Sequence, residues 1–206
     1  NYFATTQFII DKSTSYFDNK YAPLNAFNAV PDAKILAVLR NPVDRAISHW
    51  AFSMKNGHET KSLVDIITNE ALQLRPFSGI SVSPYKYLDR GYYAKHLRNW
   101  NKYFPNSQIR IVILEELNRE KTLINEVARF LAEKRLQTSR LSLITDDGKL
   151  IKLNSGSYPG VRTSELSEAK HLLHQYYRNK NKELEVFMGR KIMSWSSVII
   201  ASQSNF

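Results

Sequence analysis

Cysteine is absent from the 206 residues of this chain, which excludes disulfides, thiolate metal sites and cysteine nucleophiles. Long apolar runs are absent too. The C-terminal Val198-Ile199-Ile200-Ala201 falls far short of the roughly 20 residues needed to span a bilayer. No low-complexity tract or internal repeat is present, and histidine is scarce. His49 and His58 are separated by an expected helix end, while His171 and His174 lie three apart among leucines and tyrosines. That spacing reads as surface or packed histidines, so no metal is expected. An initiator Met and a signal peptide are also missing: the chain opens at Asn1 and enters almost at once into a motif that belongs in the middle of a fold, so it reads as part of a longer protein.

What is present is the composition of a globular protein, 43% hydrophobic and 23% charged, at a length that suits one domain spanning 1–206. Against 19 acidic residues stand 29 basic ones, a formal charge of +10. This excess favours a polyanionic ligand without separating nucleic acid, acidic polysaccharide, membrane surface and phosphorylated cofactor. The lack of cysteine, with no signal or membrane-spanning segment in the chain, points to a reducing, cytoplasmic setting and a bacterial source.

Periodicity divides the chain into alternating elements. Gln7-Phe8-Ile9-Ile10 reads as a strand, and Lys34 to Leu39 as a nearly continuous apolar strand buried on both faces of a parallel sheet. Arg40-Asn41-Pro42 breaks that pattern, and Val43 to Lys55 reads as a helix with Pro42 at its first position. Leu63, Ile66 and Ile67 mark a further helix, and 76–84 a loop. Tyr93, Leu97, Trp100 and Phe104 form the stripe of an amphipathic helix. Ile109 to Leu114 is a strand, and Leu123, Val127, Phe130 and Leu131 mark the next helix. A polar loop over Asn154 to Gly160 precedes a helix near Glu165 to Tyr177, with a separate short one at Glu183 to Met188. Such alternation predicts an α/β domain with a parallel sheet.

The chemistry concentrates in Leu39-Arg40-Asn41-Pro42-Val43-Asp44-Arg45-Ala46-Ile47-Ser48-His49-Trp50. Arg40 stands where a strand ends, the place where open α/β sheets bind ligands. The helix that follows should aim unpaired N–H groups and its positive dipole end at the same spot. Arg40 adds a permanent cation with fork-like donors, and Ser48, two turns on, a hydroxyl. This suits a monophosphate better than a triphosphate, because the segment has neither a glycine loop nor a Lys-Ser/Thr pair to hold magnesium. Glu115 and Glu116 are expected to be solvated charges, because adjacent strand-end carboxylates point apart. Tyr93 and Trp100 are expected to pack the core.

The string Arg40-Asn-Pro-Val-Asp-Arg45-Ala-Ile-Ser48 resembles the 3'-phosphate motif of sulfotransferases that use 3'-phosphoadenosine-5'-phosphosulfate (PAPS). Three further segments agree with the heparan-sulfate type of these enzymes, in their order. They are Asp11-Lys12-Ser13-Thr14-Ser15-Tyr16-Phe17, then Gly91-Tyr92-Tyr93-Ala94-Lys95-His96-Leu97 with Trp100 and Glu115-Glu116-Leu117, then Tyr176-Tyr177-Arg178 through Trp195. The resemblance implies a P-loop-like three-layer α/β/α fold around a central parallel sheet, with its N-terminal part missing here. The family's 5'-phosphosulfate loop and its catalytic carboxylate would precede Asn1.

It also implies that Arg40 and Ser48 hold the 3'-phosphate, that Arg45 serves structure, and that Lys12 is a catalytic lysine near the sulfate. Tyr92, at the helix start, is a candidate nucleotide contact. Lys152, Ser155 and Gly156 could cradle phosphate in the loop where animal enzymes carry a disulfide and a Lys-Gly-Arg run. The expected reaction moves a sulfuryl group from PAPS to a hydroxyl or amine and releases adenosine 3',5'-bisphosphate (PAP). The acceptor would be a polysaccharide or a small hydroxyl compound. Two alternatives stand beside it: a catalytically incomplete PAP-binding domain, and a basic nucleic-acid-binding module, for which neither a zinc spacing nor an RRM-like aromatic motif is present.

Overall fold

The computed structural model describes residues 9–13, 15–76, 83–117, 121–132 and 163–195. Two strands, β1 (Ile35–Leu39) and β2 (Ile109–Ile113), pair in parallel with Ile35 opposite Ile109 and Leu39 opposite Ile113. Both are rich in β-branched residues, which fit a pleated, half-buried surface. β1 departs from expectation on one side. Ala37 and Leu39 are buried, but Leu36 is 37% and Val38 51% exposed, so among the described residues only one of its faces is fully covered. Ile9 and Ile10 are exposed and outside any regular element, while Gln7 and Phe8 lie outside the described residues.

Seven α-helices accompany the pair among the described residues. α1 (Ala22–Ala29) precedes β1; it starts because Asn19 Oδ1 accepts from the amides of Tyr21 and Ala22 and Pro23 sits in its first turn. α2 (Pro42–Lys55) opens on Asn41, whose side chain accepts from the Val43 amide at 3.0 Å. Asp44 in its first turn and Lys55 in its last both complement the macrodipole. α3 (Leu63–Thr68) is capped by Ser62. α4 (Tyr93–Asn101) carries the expected stripe but stops before Pro105, with Phe104 fully buried just beyond it. α5 (Leu114–Leu117) is a single turn directly after β2, and α6 (Lys121–Ala132) follows.

The last helix differs from the sequence reading. α7 runs unbroken over Thr163–Met188, where two helices were expected. The intervening Arg178-Asn179-Lys180-Asn181-Lys182 contains no glycine or proline to stop it. It ends at Gly189, whose φ of 67° is the left-handed conformation that glycine adopts at little cost.

Two cores result, and α7 runs along both. Its N-terminal half sets Ala169, Leu173 and Tyr177 against Val43, Ile47 and Trp50 of α2 and Leu63 and Ile66 of α3. Its C-terminal half sets Leu184 against Leu39, Ile113, Tyr93, Leu97 and Trp195. Leu39 belongs to one core and Val43 to the other. The turn Arg40-Asn41-Pro42 therefore sits at the seam, anchored on each side by buried side chains.

Candidate functional site

Arg40 leaves the carboxyl end of β1 with an exposed side chain. Among the described residues its guanidinium makes no hydrogen bond or ion pair, whereas its carbonyl oxygen accepts the Tyr93 hydroxyl at 2.7 Å. Ser48 is half-buried on α2. It lies seven residues after the cap Asn41, within about 20° of it around the helix, and roughly 9 Å along the axis from the first turn. Ser48 therefore lies on the side of α2 that faces away from its buried stripe of Val43, Ala46, Ile47 and Trp50, while Arg40 precedes the helix at the strand end.

The helix end contributes less than expected. Pro42 has no N–H, the Val43 amide is capped by Asn41 Oδ1, and the Asn41 amide donates to Glu115 Oε1 at 2.8 Å. The unpaired amides anticipated from the sequence are thus mostly satisfied by the protein. A candidate anion site at this turn is left with the two side chains and the helix dipole.

Glu115 and Glu116 are not the solvated pair expected. Both lie on the α5 turn. Glu115 bridges the Asn41 amide and the Trp195 indole N–H, at 2.8 and 2.9 Å, and Glu116 pairs with Arg190 at 2.6 Å. No local pattern could have revealed Glu115, whose partners are 74 and 80 positions away. Tyr93 and Trp100 are buried as expected, but Tyr93 also reaches the site through its hydroxyl. Burial drives the Tyr93 phenol well above its usual pKa, so it remains a donor to Arg40.

Arg45 donates to the Tyr87 carbonyl, bracing α2 against the segment that leads into the 3-10 turn at Asp89–Gly91. The Tyr177 hydroxyl joins it there, donating to the Leu88 carbonyl at 2.9 Å, and burial pushes that phenol up to about 12. His49, next to Ser48, packs on Tyr87 with ring centroids 4.7 Å apart. Burial, with Arg45 and Arg90 nearby, holds it neutral with a pKa lowered to about 3.

Lys12 is exposed, and among the described residues its amine is unpaired. The segment after it is pinned to α4. Phe17 packs on His96 and Tyr93, its carbonyl accepts the Trp100 indole at 3.3 Å, and Asp18 lies 3.3 Å from Arg90. α4 thus positions both the Lys12 segment and, through Tyr93, the Arg40 turn. Tyr92 turns toward α7, where its hydroxyl donates to Glu183 at 2.7 Å, a carboxylate it shares with Arg98. Lys152, Ser155 and Gly156 lie outside the described residues.

Among those residues no cluster of His, Asp and Glu could hold a metal ion, and no helix is long and apolar enough to cross a membrane. A depression between α3 and α7 is lined by Glu165 and Glu168, a poor match for phosphate.

A parallel strand pair followed by helices, with an exposed arginine just past the carboxyl end of β1, defines an α/β domain whose candidate site lies where open α/β sheets bind ligands. Residues 20–196 match the sulfotransferase domain model, and the chain belongs to that family. It is 29% identical over 211 residues to human bifunctional heparan sulfate N-deacetylase/N-sulfotransferase 3, covering 93% of this chain and 24% of the relative. With human bifunctional heparan sulfate N-deacetylase/N-sulfotransferase 2 it shares 28% over 216 residues, covering 93% of this chain and 23% of the relative. The chain thus spans about a quarter of the length of these curated relatives. The crystal structure of a sulfotransferase from Alicyclobacillus acidocaldarius superposes with a TM-score of 0.64 at 23% identity, over 89% of this chain and 66% of that one. The mixed α/β fold with its parallel sheet is therefore the P-loop-like fold of sulfotransferases.

Proposed function

We propose that this domain holds the 3'-phosphate of PAPS between Arg40 and Ser48 and takes part in moving the sulfuryl group to a carbohydrate hydroxyl or amine. The observation that carries this reading is the exposed, unpaired Arg40 guanidinium at a strand end whose backbone is otherwise tied down. In the reaction the acceptor oxygen or nitrogen attacks sulfur, the bond from sulfur to the bridging phosphate oxygen breaks, and PAP departs with that electron pair. The acceptor proton passes to a base. Arg40 and Ser48 take no part in bond making; they hold the nucleotide in line, and orientation of this kind is a major source of rate. Lys12 is the cation proposed to meet charge developing on the bridging oxygen.

The relatives' names, which specify heparan sulfate and N-sulfotransfer, support a carbohydrate acceptor and an amine as its nucleophile. The absence of cysteine supports a reducing, cytoplasmic setting in a bacterium. Incubation with sulfur-labelled PAPS and a panel of N-deacetylated heparan, other glycans and small alcohols tests the reading. Label should pass to a glycan, and Arg40→Ala should raise the KM for PAPS at least tenfold. A KM unchanged in a folded Arg40→Ala variant rejects the assignment.

A further inference from the structure

One peptide unit in the site is gripped at both of its polar atoms. In the link from Arg40 to Asn41 the carbonyl oxygen accepts the Tyr93 hydroxyl at 2.7 Å, and the N–H donates to Glu115 Oε1 at 2.8 Å. The other Glu115 oxygen accepts the Trp195 indole N–H at 2.9 Å, and the Trp195 ring packs on Tyr93 with centroids 6.1 Å apart. Residues from α4, from α5 and from the 3-10 turn Met193–Trp195 thus close a ring around a single peptide plane. Fixing that plane restrains the torsions on either side of it, and with them the direction in which the Arg40 side chain departs.

Electrostatics sharpens the point. A carboxylate beside an anion site opposes the anion, so Glu115 does not attract the ligand itself. What it supplies is geometry: two acceptor oxygens, one receiving the Asn41 N–H and the other the Trp195 indole N–H.

We propose that Glu115, with Tyr93 and Trp195, is a positioning residue of the 3'-phosphate site and acts through the Arg40–Asn41 peptide. This rests on the reading of Arg40 as the phosphate ligand. The ligand gains because the guanidinium is held ready and loses less freedom on binding.

The test is calorimetric titration of the full chain with PAP and with adenosine 5'-monophosphate, which lacks the 3'-phosphate, alongside a thermal melt of each variant. Glu115→Gln keeps the shape but leaves one acceptor, so its amide must face a donor with a donor. PAP affinity should fall roughly tenfold, while affinity for the monophosphate stays near the wild-type value. Trp195→Phe in that background removes the opposing N–H and should restore most of the loss, a coupling that two independent sites would not show. Tyr93→Phe, which deletes only a hydroxyl, should weaken PAP about fivefold and supplies the answer if Glu115→Gln does not fold. The proposal is overturned if both Glu115→Gln and Tyr93→Phe bind PAP as wild type does while Arg40→Ala does not. Equal losses for the two nucleotides, or no recovery in the double variant, overturn it as well. An Arg40→Ala chain that binds PAP normally would instead reject the site itself.

Discussion

Ser48 and His49 are neighbours with opposite duties. The Ser48 hydroxyl is half-buried with no hydrogen-bond partner among the described residues, which suits a ligand contact of ordinary strength. Ser48→Ala should therefore weaken PAP by about 1 kcal/mol, read as a roughly fivefold rise in Kd with the melting temperature unchanged. His49 carries no such contact and serves the fold as a neutral ring. Its pKa, lowered from 6.5 to about 3 chiefly by burial, means that between those pH values an unfolded chain binds a proton that the native one excludes. Stability therefore rises with pH through that window and is lost as pH falls below 6.5. His96 and His174, also depressed by burial, add to the slope, so the informative quantity is a difference. His49→Gln should flatten the pH dependence of the melting temperature, removing about 2 kcal/mol of the loss between pH 7 and about pH 4.5. An unchanged slope would show that His49 is free to protonate in the native state.

Elements differ in how openly the sequence announces them. The helix after Arg40 is legible because cap, proline and apolar stripe all act within one segment, and its start at Pro42 follows the expected pattern. The stripe of Tyr93, Leu97 and Trp100 is legible for the same reason. α7 reads as two helices in the sequence because its apolar stripe thins at Arg178 to Lys182, although nothing there breaks a helix. α1 carries no such signal, because its buried surface is little more than Pro23. Burial on both faces of β1 could not be judged from its apolar run, since a run records the residues offered and not the layers that cover them.

In the candidate site, Arg40 and Ser48 stand out in the sequence because strand end, helix start and hydroxyl follow one another in the chain. The Tyr93 and Glu115 contacts were not, because tertiary structure alone brings them to position 40. Gly91 is a related case. A Cβ there would lie 2.5 Å from the Tyr177 hydroxyl and 2.7 Å from its ring carbons, so the glycine is required by the approach of α7. Gly91→Ala should cost about 1–3 kcal/mol in denaturant unfolding; a cost below measurement would mean that α7 can shift without penalty.

For the whole molecule, the charge of +10 invites a nucleic-acid reading, and salt separates the two. A nucleotide held by one arginine and one hydroxyl releases few counterions. Its affinity should fall less than about tenfold between 50 and 200 mM salt, whereas a protein tracking a duplex by many phosphate contacts would lose roughly 10³ or more. The architecture supports a local site over a tracking surface. Two cores meet at one turn, α7 joins them, and the exposed cation stands at the seam.

Arg40 as the 3'-phosphate ligand is tested most directly by calorimetry of PAP against adenosine 5'-monophosphate on the wild-type chain and on Arg40→Ala. The wild type should prefer PAP, and Arg40→Ala should lose about 2 kcal/mol or more of PAP binding while its affinity for the monophosphate stays as it was. A wild-type chain that does not distinguish the two nucleotides, or a folded Arg40→Ala chain that binds PAP undiminished, would contradict it.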